Sequence, residues 1–110
     1  MCHAKSVVED DPLPAIVGLQ IIGTAKPGKE VCATGYCTNG TTSCKFAWLR
    51  GSDVSSMDYV EGADKASYEI TEDDINMYLA VEVKPIDSRA RQGQAERIFA
   101  NDRRKINHQV

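Results

Sequence analysis

Cys44-Lys45-Phe46-Ala47-Trp48-Leu49-Arg50 contains the chain's only tryptophan and one of its two phenylalanines. At a period of two residues, Cys44, Phe46 and Trp48 fall on one side and Lys45, Ala47 and Leu49 on the other, the alternation of a strand with one face on a core. The stretch reads as the central strand of a small sandwich with Trp48 as its packing centre. In the middle of an alternating strand a tryptophan fills space between layers, which sets aside a ligand-stacking role for Trp48.

Upstream, Ile16-Val17-Gly18-Leu19-Gln20-Ile21-Ile22 is rich in β-branched residues, with Val17, Leu19 and Ile21 on one face, and stops at Gly23. Lys26-Pro27-Gly28-Lys29 is a turn signal, because proline fixes φ and glycine accepts positive φ. A second strand is expected over about residues 30–36. Asn39-Gly40 is the strongest short hairpin signal, since both residues tolerate the left-handed conformation. It should join the second strand to the tryptophan strand and bring Cys32 or Cys37 near Cys44.

Downstream, residues 51–56 read as a loop, followed by an apolar pulse at Met57, Tyr59 and Val60 and a turn at Glu61-Gly62-Ala63-Asp64. Ser67-Tyr68-Glu69-Ile70 is a short strand. Thr71 and Asp74 have capping-box spacing, which predicts one helical turn opening at Thr71. Leu79-Ala80-Val81-Glu82-Val83-Lys84 alternates strictly, with Leu79, Val81 and Val83 inward and Glu82 and Lys84 outward. Pro85 should end that run, Gly93 is read as a hairpin turn residue, and Ala95-Glu96-Arg97-Ile98-Phe99-Ala100 is the last strand. About seven short strands with turn signals between them predict an all-β antiparallel sandwich. A parallel α/β fold would need crossover helices that this pattern lacks.

With 110 residues, 42% hydrophobic and 26% charged, the chain has room for one domain and one core. Residues 1–14, with Glu9-Asp10-Asp11-Pro12 and Pro14, read as a linker or tail. The domain is expected over residues 15–101, and residues 102–110, with Arg103-Arg104-Lys105, form a basic tail. A net charge of -3 argues against a bulk nucleic-acid or membrane-surface binder. The charge is uneven: eight acidic residues from Asp53 to Asp74 are opposed only by Lys65, whereas Lys84 to Lys105 holds seven basic residues against Asp87, Glu96 and Asp102. No apolar run approaches the roughly eighteen residues that span a bilayer. Met1-Cys2-His3-Ala4-Lys5 has no apolar signal-peptide core behind it, so a cytoplasmic location is expected if this is the natural start.

Phe46-Ala47-Trp48-Leu49-Arg50, then Val60-Glu61-Gly62-Ala63, then Tyr68-Glu69-Ile70-Thr71-Glu72-Asp73-Asp74-Ile75 and Leu79-Ala80-Val81-Glu82-Val83 resemble the signature of cysteine-independent immunoglobulin-like repeats. The likeness covers roughly residues 15–101. It is nearest to the immunoglobulin-like repeats of plant cytoskeleton-associated proteins, the microtubule-associated auxin-induced-in-root-cultures type and, more distantly, the stomatal-closure-related actin-binding type. The resemblance implies an immunoglobulin-like β-sandwich of about seven strands, serving as a non-enzymatic interaction module that binds microtubules, actin or another protein. A spacer repeat without its own ligand, inside a longer intracellular or cell-surface protein, is the alternative. The antibody pattern would place a cysteine two residues after Tyr78. Ala80 stands there, so no inter-sheet disulfide is expected and Trp48 should pack on aliphatic side chains alone.

The structural core is expected at Phe46, Trp48, Tyr68, Leu79, Val81 and Val83. Partner binding is assigned to the basic stretch of Lys84, Arg89, Arg91 and Arg97, because arginine in a sandwich-end loop pairs well with carboxylates on an acidic filament surface. Asp74, beside Glu72 and Asp73, is explained by capping, and the loop lacks the ligand spacing of a calcium site. Cys32, Cys37 and Cys44 could hold zinc with Cys2 or His3, or act as a redox module, but no C-x-x-C pair is present, and the thiols are read as mostly free. A cysteine nucleophile would need a histidine base, and His3 and His108 lie in the expected tails. No catalytic residue, cofactor or metal is therefore expected. Exposed edge strands leave homodimer pairing open.

Overall fold

Alternating β-branched and aromatic residues build seven strands in the computed structural model, which describes residues 12–106. They are β1 (Ala15–Gly23), β2 (Glu30–Thr38), β3 (Thr41–Asp53), β4 (Ser56–Tyr59), β5 (Ser67–Glu69), β6 (Tyr78–Asp87) and β7 (Glu96–Phe99). Single 3₁₀ turns lie at Glu72–Asp74 and Asn101–Arg103. The strands form two antiparallel sheets, ordered β1-β2-β5 and β4-β3-β6-β7, the immunoglobulin-like sandwich expected. Residues 1–11 and 107–110, including most of the expected linker and the end of the basic tail, lie outside the described residues.

The longest ladder joins β3 to β6, with Trp48 opposite Val81, Phe46 opposite Val83 and Arg50 opposite Leu79. Trp48, Leu79, Val81 and Val83 are fully buried and meet Val31, Ala33 and Ile70 from the other sheet's side of the core. Phe46 and Tyr68, both expected in the core, are partly buried against it. Trp48 does not rest on aliphatic groups alone. Its ring stacks on Tyr68 with centroids 5.2 Å apart, and its indole Nε1 donates to the Lys65 carbonyl at 2.7 Å, so the polar end of the buried indole is satisfied.

Four local expectations are corrected. Asn39 and Gly40 do reverse the chain in the left-handed region, with φ of 57° and 78°. The strands they join nevertheless enter different sheets, because both edges of β2 are taken by β1 and β5, and both edges of β3 by β4 and β6. The stretch read as a loop after Arg50 is mostly strand: β3 runs to Asp53 and reverses onto β4. Pro85 does not end β6. It pairs opposite Cys44 with its carbonyl accepting from Gly93 N at 2.9 Å, a position that needs no proline N–H. The β6–β7 turn is centred before Gly93, where the Asp87 carboxylate accepts from the backbone N–H of Arg89 and Arg91 at 3.0 and 2.9 Å, and Ala90 takes a φ of 63°.

Beyond β7 the chain stays on the sandwich as far as Ile106, in the segment read as a basic tail. Ile106 is 1% exposed, donates its N–H to the Met77 carbonyl and accepts from Asn76 N–H, closing the end of the core over the β5–β6 connection.

Candidate protein-interaction face

Two polar constellations stand out, one internal and one on the surface. The internal one is centred on Asp74, whose side chain is fully buried. Its carboxylate accepts from Arg50 Nη1 at 2.9 Å, from the Tyr68 hydroxyl at 2.8 Å, from Thr71 N–H at 2.9 Å and from Thr71 Oγ1 at 3.3 Å. The capping contact expected for Asp74 is present, but it is one of several. The partner that sequence spacing missed is Arg50, two residues past Trp48 on β3. The hydrogen bond to Asp74 raises the Arg50 pKa, and burial followed by the bond to Asp74 pushes the Tyr68 hydroxyl well above its ordinary value. Every donor around Asp74 is thus held by a fixed carboxylate, an arrangement suited to locking the β5–β6 corner to β3.

The surface constellation follows from strand parity. Because Trp48, Val81 and Ile98 face inward in register, the residues one step along, Leu49, Ala80 and Phe99, share the outer face of the four-stranded sheet with Tyr59. Leu49 and Ala80 are 1% and 0% exposed, and Tyr59 and Phe99 stand on either side of them in the same row. The next row holds Ala47, Glu82 and Arg97, and the one beyond it places Lys45 directly opposite Lys84. At the other end, Arg103 lies 5.0 Å over the Phe99 ring and Lys105 lies 5.7 Å over Tyr78. Glu82 is the carboxylate on this face among the residues of these rows. It accepts from the Tyr59 hydroxyl at 2.8 Å, which raises the Tyr59 pKa, and from Arg97 at 3.3 Å.

The four residues assigned to partner binding divide into two groups. Lys84 and Arg97 belong to this outer face, adjoined by Lys45, Arg103 and Lys105. Arg89 and Arg91 lie in the β6–β7 turn at the end of the sandwich. There Arg91 Nε is held 2.8 Å from the Asp87 carboxylate. Burial opposes ionisation of Asp87, but hydrogen bonds from Arg91 and Arg89 outweigh it and lower its pKa. Arg91 therefore organises its own turn. Lys45 was legible in the alternation of the central strand as an outward residue; what the sequence did not display was that it would face another lysine.

The cysteines also separate. Val31, Ala33 and Cys37 share one strand parity on β2, whereas Cys32 is on the opposite side, so Cys32 does not converge with Cys37 and Cys44. Among the described residues no group of three or more His, Cys, Asp and Glu side chains could hold a metal ion.

A seven-stranded sandwich closed by a Trp48/Tyr68 stack and an Arg50/Asp74 pair, with free cysteines in place of an inter-sheet bridge, defines an immunoglobulin-like domain of the cysteine-independent kind. Within that class, the family model for the AIR9 A9 domain matches residues 15–100, and the chain belongs to that family. A search of curated proteins finds no match to the chain.

Proposed function

We propose that this domain is a non-enzymatic interaction module of a cytoskeleton-associated protein, and that it docks an acidic filament surface through the outer face of the β4-β3-β6-β7 sheet. One observation carries the reading: Lys45 stands directly opposite Lys84 on the outer face of this sheet, with Arg97 paired to Glu82 in the next row and Arg103 and Lys105 over the Phe99 and Tyr78 rings at the far end. Like charges directly opposite on a sheet destabilise it, so a partner that supplies carboxylates there gains what the free domain lacks. Membership of an immunoglobulin-type repeat family supports a binding role. Filaments of tubulin or actin fit the required acidic chemistry.

Co-sedimentation with microtubules and with actin filaments across a salt series tests the proposal. Binding is expected to weaken as salt rises and to fall in a Lys45→Ala/Lys84→Ala variant, since each removed cation removes a screened attraction. Binding that persists in high salt, or that is unchanged in that double variant, would rule out this face as the docking surface. Arg91→Ala is a poorer probe, because it releases Asp87 and disturbs the turn as well as removing a charge.

A further inference from the structure

Cys37 closes β2 and Cys44 lies near the start of β3, on either side of the Asn39-Gly40 reversal. Their strands belong to different sheets, and Cys37 stands exposed at the rim of the sandwich beside the partly buried Cys44. Cys37 shares the strand parity of Val31 and Ala33 on β2, while Cys44 pairs opposite Pro85 and packs against the core with Phe46. The two thiols adjoin there as free cysteines, Cys37 exposed and Cys44 partly buried. The two thiols interact with each other, whereas Cys32, on the other side of β2, rests its thiol 3.7 Å from the Ala33 carbonyl.

We infer that Cys37 and Cys44 form a reversible disulfide, a modification site that ties the two sheets together at the Asn39-Gly40 end of the sandwich, with a small-molecule disulfide such as oxidised glutathione as the oxidant. Exposure makes Cys37 the first thiol to react: its thiolate attacks one sulfur of oxidised glutathione, forming a mixed disulfide and expelling one glutathione thiolate. Cys44, as thiolate, then attacks the Cys37 sulfur, expelling the second glutathione. The net change is two protein thiols oxidised to one disulfide and one glutathione disulfide reduced to two glutathione thiols, which carry the two protons. Burial, followed by the neighbouring Cys37, raises the Cys44 pKa, so the second exchange is the slower one and quickens as pH rises toward the thiol range.

The experiment is incubation of the whole chain with oxidised glutathione, followed by peptide mapping and thermal melts with and without reductant. The expected product is about 2 Da lighter than the reduced chain, carries a Cys37/Cys44 cross-link and melts at a higher temperature, with reductant reversing both changes. Cys32→Ser should leave this product unchanged, and Cys37→Ser and Cys44→Ser should each abolish it. A stable glutathione adduct on Cys37 with Cys44 still titrating as a thiol would overturn the inference. So would a cross-link mapped to Cys2 or Cys32, or complete resistance to the oxidant.

Discussion

Asp74 shows what a single residue decides in this fold. With its side chain fully buried, its carboxylate is tolerable only because Arg50, Tyr68 and Thr71 all donate to it. Removing it leaves a guanidinium, a hydroxyl and an N–H without their partner, so Asp74→Ala should lower unfolding free energy by about 3 kcal/mol in urea titrations, discounted from the fully buried case because the Arg50 side chain is 31% exposed. Tyr68→Phe, which keeps the ring on Trp48 and deletes only the hydroxyl, should cost about 1 kcal/mol. The same hydroxyl predicts a pH effect. Its folded pKa lies above the ordinary value of 10.0, first through burial and then through Asp74, so its contribution is complete below that value. As pH rises further the unfolded chain releases this proton while the folded domain retains it, and stability falls. Melting temperature should therefore decline above pH 10, and the decline should be shallower in Tyr68→Phe; parallel curves for the two proteins would contradict the assignment.

At the scale of elements, the alternation that sequence displays and the connections it conceals come apart. The faces of β3 and β6 were legible residue by residue, because Phe46, Trp48, Leu79, Val81 and Val83 all obey period two and all turn inward. Tyr-x-x-Thr-x-x-Asp likewise announced the corner, yet Arg50 could not be joined to it without knowing that β3 passes beside the β5–β6 connection. The reversal at Asn39-Gly40 was legible as local backbone preference, but whether two strands then pair depends on which edges are already occupied, information that no two-residue motif contains. Gly93 makes a similar point. Its neighbourhood looked like turn chemistry, whereas its small size matters because a Cβ there would occupy the space of the Pro14 carbonyl oxygen and press on Pro85. Gly93→Ala should accordingly destabilise by about 1–3 kcal/mol, since backbone and a buried proline cannot move aside easily. Gly40→Ala is the contrasting case: its Cβ would meet nothing within 4 Å, leaving only the strain of a φ of 78°. A chemical-denaturation comparison in which Gly93→Ala proved the milder change would show that the Pro14 segment is not packed there in solution.

For the whole molecule, each sheet sets two like charges directly opposite one another. The three-stranded sheet sets Glu30 opposite Glu69, both exposed, while the four-stranded sheet sets Lys45 opposite Lys84. Fold optimisation alone would favour opposite charges in both places, because cross-strand ion pairs stabilise a sheet by about 0.2–1 kcal/mol and like pairs cost a similar amount. Lys45→Glu separates stability from binding for this reason. It converts the repulsive pair into an attractive one with Lys84, so the folded domain should gain about 0.5 kcal/mol in urea titrations. On the docking proposal the same substitution reverses one charge in the middle of the basic face and should weaken filament co-sedimentation, most visibly at low salt. A variant that is both more stable and less able to bind is the outcome expected of a residue kept for recognition. If Lys45→Glu gained stability and bound filaments as the parent does, the lysine pair would be a tolerated surface feature, and the docking face would have to lie elsewhere on the sandwich.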